Sequence, residues 1–278
     1  MPTRTINGAN LYYEIHGSSG DPLVLVHGSW VDHSSWAAVT PALARDYRVL
    51  VYDRRGHSKS GRGARSPVMA DHLSDLQNLM EGLDFAPAHV VANSYGAIIG
   101  LRLGSASPAL FRSLMIHEPP LMTLLESDES VRGQMTELGA HTEDVCALIA
   151  SGRIAEGAEL FVDSMAIGPG AWAKLPQQGR ELFITNAQTF LAEQLDPVKF
   201  GIDLLSLRTI QFPVLLTNGT RSPLLFARVI ALLENAIPGV RRKTYTGAGH
   251  VPQSTHPDDF VAAIGEFVSS SGKSPGKR

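Results

Sequence analysis

The chain has 278 residues, 44% hydrophobic and 18% charged, with a formal net charge of -3, so it can bury one large core or two small ones and lacks the basic excess of a nucleic-acid binder. Its single cysteine, Cys146, excludes a disulfide framework within the chain and fits a reducing compartment, and no Cys/His cluster has zinc spacing. The opening Met1-Pro2-Thr3-Arg4-Thr5 lacks an apolar signal core and no apolar run is long enough to span a membrane, so a soluble cytoplasmic protein is expected.

Thr5 to Glu14 places an Asn7-Gly8 turn between two strand-like pieces, the pattern of an opening hairpin. Pro22 to Val26 is a continuous apolar strand ending at His27-Gly28-Ser29, and such strands belong to sheets covered on both faces. Ser34 to Arg45 reads as a helix, with Asp32 placed to cap it. Tyr47 to Tyr52 is a strand that runs into Asp53-Arg54-Arg55-Gly56-His57-Ser58, whose paired charges read as a structural lock on the loop. Met69 to Leu83 is an amphipathic helix with Leu73, Leu76, Leu79, Met80 and Leu83 on one face. A strand from His89 to Asn93 leads through Ser94 into a helical segment at Ile98 to Ser105, and the strand Ser113 to His117 closes on Glu118-Pro119-Pro120.

From Leu121 to about Thr209 the alternation stops. Helices are expected over Glu129 to Leu148, Ile154 to Met165 and Arg180 to Leu195, broken at Gly168-Pro169-Gly170 and Asp196-Pro197. The sheet resumes with Pro213 to Thr217, the helix Leu224 to Ala236, and the strand Val240 to Tyr245 leading to Gly247-Ala248-Gly249-His250; a last helix covers Asp258 to Val268. This is an α/β chain: a doubly wound, mostly parallel sheet from residues 1–120 and 210–270, a helical cap at 121–209 inserted after the sixth strand, and a Ser/Gly/Lys/Pro-rich tail at 271–278 expected to be disordered.

Ligands of such sheets sit beyond the carboxyl ends of the strands, and His27-Gly28-Ser29, Asp53, Ser94 and Glu118 all fall there. Ala92-Asn93-Ser94-Tyr95-Gly96 has the form of a nucleophile elbow, a strand-to-helix turn whose neighbours two residues from the serine must be small; Ala92 stands where a glycine is usual. Together with His-Gly after the third strand, Asp-Arg-Arg-Gly-His-Ser after the fourth and Gly-Ala-Gly-His near the end, the chain resembles the α/β-hydrolase superfamily over most of its length. That resemblance implies an α/β-hydrolase fold with Ser94 as nucleophile and His250 as its base, with His117 and His256 as rival histidines. It also implies an oxyanion hole made by the backbone N–H groups of Ser29 and Tyr95.

The third triad member departs from the common pattern. The usual Gly-x-x-Asp turn after the seventh strand is Gly219-Thr220-Arg221-Ser222 here, and no Asp or Glu lies between Asp203 and Glu234. Glu118, after the sixth strand, is the nearest suitable carboxylate; haloalkane dehalogenases and zearalenone-type lactonases place the acid at that strand end, the latter in a His-Glu-x-Pro stretch similar to His117-Glu118-Pro119-Pro120. The alternatives are a Ser94-His250-Glu118 triad or a dyad in which Glu118 only caps the cap's start or pairs with an arginine. A serine at the elbow favours attack on a carbonyl, so a small-molecule ester or lactone is the expected partner, with no metal or organic cofactor, no nucleic acid and no membrane; the oligomeric state is open. Trp30, His33, Leu121, Met122, Trp172, Phe183 and Val251 are the candidate pocket residues. The competing readings are a carbon–carbon bond hydrolase, a cofactor-free haloperoxidase (perhydrolase), a cofactor-free dioxygenase and a non-hydrolytic ligand receptor.

Overall fold

A computed structural model describes residues 2–198 and 200–271; apart from Ser271, the expected tail lies outside the described residues. Eight strands form one sheet: β1 (Thr3–Ile6), β2 (Ala9–His16), β3 (Asp21–Val26), β4 (Tyr47–Tyr52), β5 (Ala88–Asn93), β6 (Phe111–His117), β7 (Val214–Gly219) and β8 (Arg241–Tyr245). Their order is β1-β2-β4-β3-β5-β6-β7-β8, with β1 and β2 antiparallel to their neighbours and the rest parallel. The hairpin β1–β2 closes as Ile6↔Ala9, with Asn7 at φ 49° and Gly8 at φ 76°. Two successive positive φ values match the right-handed twist of the strands, which is why Asn-Gly suits this turn.

The apolar strands bury both faces by alternation. Val24 and Val26 of β3, Leu50 of β4, Val90 and Ala92 of β5 and Leu114 and Ile116 of β6 enter one core cluster. Leu23, Leu25, Val49, Val51, Val91 and Met115 enter the other. Helices α2 (Met69–Gly82), α3 (Tyr95–Ala106) and α8 (Leu224–Ala236) cover the first face; α1 (Thr40–Leu43) and α10 (Pro257–Ser271) cover the second. A short helix α9 (Pro252–Thr255) precedes α10.

The helix expected over Ser34 to Arg45 is instead a 3₁₀ turn at His33–Trp36 followed by α1. Pro41 accounts for the break, since it lacks the N–H that a helix running on from Ser34 would donate, and it sits instead in the first turn of α1, where that N–H is not needed. Asp32 does cap the 3₁₀ turn, accepting the Ser34 N–H at 2.8 Å.

Between β6 and β7 the described regular structure is entirely helical: α4 (Arg132–Ala150), α5 (Ile154–Phe161), α6 (Ala171–Lys174) and α7 (Gln177–Leu195), with shorter turns. This insertion has its own apolar cluster of Val145, Ile149, Ala158, Val162, Ala187 and Phe190, and Trp30 reaches into it from the loop after β3. Among the described residues, no helix is long and apolar enough to cross a membrane.

Candidate active site

The strand order reverses around β3, which pairs with β4 on one side and β5 on the other. Such a reversal opens a crevice at the carboxyl ends of the strands, and here the loop 27–30 and Ser94 meet in it. Ser94 sits at φ 56° and ψ −126°, between the last residue of β5 and the first of α3. Its N–H donates to the His117 carbonyl at 2.9 Å. The tightness explains the small neighbours. A Cβ on Gly28 would stand 2.8 Å from the Ser94 Cβ, and one on Gly96 would stand 2.5 Å from the backbone oxygens of Val26 and His27. Ala92, in place of the usual glycine, is accommodated in the core.

Glu118 follows β6 at φ 45°, fully buried, with its N–H on the Thr217 carbonyl at 3.2 Å. Its Oε1 accepts the Gly219 N–H at 2.8 Å and its Oε2 lies 2.8 Å from His250 Nδ1. Burial works against ionisation of this carboxyl, but the bond from His250, the nearby His117 ring and the Gly219 N–H outweigh it and hold the group below the usual carboxylate range. His250 is steadied further: its carbonyl accepts from Asn93 Nδ2 at 3.0 Å and its ring stacks on Phe226 at 4.6 Å. Neither Asn93 nor Phe226 carries a sequence signal for this task. His117, the rival histidine, is buried between Thr217 and the Gly249 carbonyl, and burial lowers its pKa to about 4. His256 bonds Thr255 at the protein surface.

The structure thus joins Glu118 to His250 and brings Gly28 against Ser94; no hydrogen bond links Ser94 Oγ to His250 among the described residues. The N–H groups of Ser29 and Tyr95 also have no acceptor among the described residues. Ser222 Oγ, where the usual acid would stand, is buried without a partner there.

The candidate pocket residues have divided positions. Trp30 and Leu121 are 1% and 0% exposed; Trp30 stacks on Phe161 at 4.3 Å, in the cluster that also takes Trp172 and Phe183. Met122 is half-buried against the main core, and Val251, next to His250, is 41% exposed. His33 turns toward the hairpin, 2.5 Å from Asp53 Oδ1 and 3.3 Å from Glu14 Oε1. Asp32, His33 and Asp53 offer ligand atoms within 4.8 Å of one another. His33 and Asp53 bond each other, Asp32 accepts from Ser34, and Asp53 also accepts the Lys59 N–H, so each of the three already has a partner.

A polar seam between cap and core has no counterpart in the sequence reading. Arg54, expected to be structural, is buried and donates through Nη2 to Glu193 Oε1 at 2.7 Å and to the Gly28 carbonyl at 2.9 Å. Glu193, on α7, also accepts from Ser29 Oγ at 2.5 Å. Asn186 of the same helix donates to the Trp30 carbonyl at 3.3 Å, and Asp196, just past its end, accepts the Met69 N–H.

Comparison with known proteins bears on the family and the fold. A 132-residue stretch is 37% identical to a Bacillus subtilis (strain 168) protein described as an uncharacterized hydrolase, YraK, and covers 46% of this chain and 47% of that one, about half its length. A non-heme chloroperoxidase of Streptomyces lividans is 24% identical over 96% of this chain and 98% of its own. Among solved structures, Est816, described as an N-acyl homoserine lactone degrading enzyme, superposes with a TM-score of 0.72 at 23% identity, covering 96% of this chain and 100% of that one, and so shares the fold. A model of the alpha/beta hydrolase family matches residues 23–264, and with the elbow, the eight-stranded sheet and the cap in place, this chain belongs to that family.

Proposed function

We propose that the protein is a serine hydrolase that cleaves a small-molecule carboxylic ester or lactone through an acyl-enzyme, with Ser94 as nucleophile, His250 as base and Glu118 as the acid partner. The observation that carries this reading is the 2.8 Å contact between His250 Nδ1 and a fully buried Glu118 carboxylate. In this reading the Nδ1 proton faces the glutamate and Nε2 is free to take a proton from Ser94. Ser94 then attacks the substrate carbonyl, and the free N–H groups of Ser29 and Tyr95 hold the oxyanion. The N-terminus of α3, which begins at Tyr95, adds favourable potential there. His250 passes its proton to the leaving oxygen, and a water deprotonated by His250 releases the acid and restores Ser94.

The description of Est816 as lactone-degrading supports the ester or lactone class. The near full-length match to a chloroperoxidase favours a second reading, in which hydrogen peroxide replaces water as the attacking group and the product is a peracid. Initial rates on a panel of p-nitrophenyl esters and lactones, with and without peroxide, separate the two. Ser94→Ala is expected to lower turnover by at least about 10³-fold. Unchanged turnover in that variant would remove the reading, and binding without turnover in the wild type would point to a receptor.

A further inference from the structure

We infer that Glu193, on cap helix α7, is a positioning residue for the oxyanion hole: it holds the Ser29 N–H on target by clamping the Ser29 hydroxyl and the Arg54 guanidinium together. This rests on the hydrolase reading above.

The argument begins with one peptide plane. A trans peptide points its C=O and N–H in opposite directions, so whatever fixes the Gly28 carbonyl aims the Ser29 N–H. Two groups fix it: Arg54 Nη2 at 2.9 Å and His27 Nδ1 at 2.8 Å. The Arg54 backbone N–H donates to His27 Nε2 at 2.9 Å, so Nε2 is the acceptor nitrogen and the proton sits on Nδ1, donating to Gly28. Burial, then the Arg54 charge, keep this imidazole neutral at ordinary pH by lowering its pKa to about 3. Two donors on one carbonyl also polarise the peptide and strengthen its N–H as a donor.

The next two residues are anchored from the cap. Ser29 Oγ donates to Glu193 Oε2 at 2.5 Å, and Glu193 Oε1 receives Arg54 Nη2 at 2.7 Å. Trp30, held at φ 67°, has its carbonyl on Asn186 and its ring on Phe161. A large side chain at positive φ is strained and persists only where its surroundings over-determine it. Arg54 lies 4.9 Å from the centre of the Tyr95 ring, so the same guanidinium contacts the residue of the other expected oxyanion donor. The loop is therefore fixed at residues 28, 29 and 30, while the Ser29 N–H is left without an acceptor among the described residues. Glu193 and Arg54 have side-chain exposures of 2% and 0%. Burial raises the Glu193 carboxyl against the pull of Arg54 and Ser29, and a pair buried this deeply is weak as a source of stability; its contacts with Ser29 and Arg54 fix positions.

The test uses the full chain with Ser29→Ala, Glu193→Gln and the double variant. The backbone N–H survives in all three. Removing an oxyanion donor costs about 10²–10³-fold in kcat, so displacing one is expected to cost about 10–100-fold, with KM within about threefold. Affinity for a trifluoromethyl ketone, whose adduct on Ser94 carries the oxyanion, is expected to fall in step with kcat/KM. Because both substitutions break one clamp, the double variant is expected to be no worse than the more impaired single one. Losses under threefold in folded variants, or losses that multiply, would overturn the inference. If Glu193→Gln does not fold, Ser29→Ala, which removes only a hydroxyl, decides. If the wild type has no Ser94-dependent turnover, the hydrolase reading fails separately, and amide hydrogen exchange over residues 27–31 decides: faster exchange in both variants with α7 unchanged supports the clamp, and unchanged exchange refutes it.

Discussion

Glu118→Gln is the substitution that most directly interrogates the site. Each oxygen of the carboxylate has its own donor: Oε1 takes the Gly219 N–H and Oε2 takes His250 Nδ1, both at 2.8 Å. A glutamine keeps one acceptor and turns the other into an NH₂ donor. If its oxygen stays on Gly219, its NH₂ faces His250, and the imidazole must shift its proton to Nε2 to offer Nδ1 as acceptor. That tautomer cannot take the Ser94 proton. If the amide flips, the NH₂ opposes the Gly219 N–H inside a buried site, and an unpaired buried donor costs about 1–3 kcal/mol. The first arrangement avoids that penalty and is the one expected. In serine proteases the same chemical change costs about 10⁴-fold in kcat, equivalent to about 5 kcal/mol of transition-state stabilisation. The measurement is kcat and KM on the ester that Ser94→Ala fails to turn over, together with a melting curve to establish folding. KM should hold while kcat falls. A folded Glu118→Gln within tenfold of wild-type kcat would refute the argument, because His250 would then be acting in a dyad.

The pH dependence of stability follows from the buried histidines. Burial depresses His27 to about 3 and His117 to about 4, takes His57 and His72 well below the ordinary value of 6.5, and lowers His89 as well. Groups depressed in the folded state stay neutral there but bind protons in the unfolded chain, so their contribution is complete above pH 6.5 and is lost as pH falls toward their folded values. His33 runs the other way: burial lowers its pKa, but Asp53, Asp32 and Glu14 outweigh that and raise it, so its contribution is complete below 6.5 and is lost as pH rises. Five depressed histidines against His33 and Glu193, whose carboxyl burial raises, predict a urea midpoint that drops steadily from pH 7 to pH 4.5; a flat profile refutes it. Asp75→Ala strands a second buried arginine. Arg55 holds Asp75 through two bonds of 2.7 and 2.5 Å, with side chains 5% and 2% exposed, so removing the acid should cost about 3–5 kcal/mol in chemical denaturation. A loss below 1 kcal/mol would show that Arg55 finds other partners.

The sheet was legible because fully apolar strands can only be covered on both faces. Leu23 and Leu25 go one way, and Val24 and Val26 the other. The helix expected from Ser34 to Arg45 breaks ahead of Pro41, which cannot continue a helix but can begin one, as it does in α1. Glu118 could be singled out as the nearest suitable carboxylate, since the turn that usually carries the acid ends in Ser222. Helix α7 could not be read this way. Asn186, Thr189, Glu193 and Asp196 recur at helical spacing, and a polar stripe with that period ordinarily marks a solvent face. All four are buried, because their partners lie on the loops after β3 and β4 and at the start of α2, more than a hundred residues away. Periodicity reports that two faces of a helix differ, not which medium each one meets. The available clue was the pair Arg54-Arg55 at the end of an apolar strand. Two adjacent arginines in a buried loop need two acids, and Asp53 beside them is already engaged by His33 and Lys59. One acid is Asp75, on α2 of the core. The other had to come from elsewhere in the chain, and a charged residue brought from the cap to the core arginine that holds the Gly28 carbonyl ties the seating of the cap to the geometry of the loop beneath it.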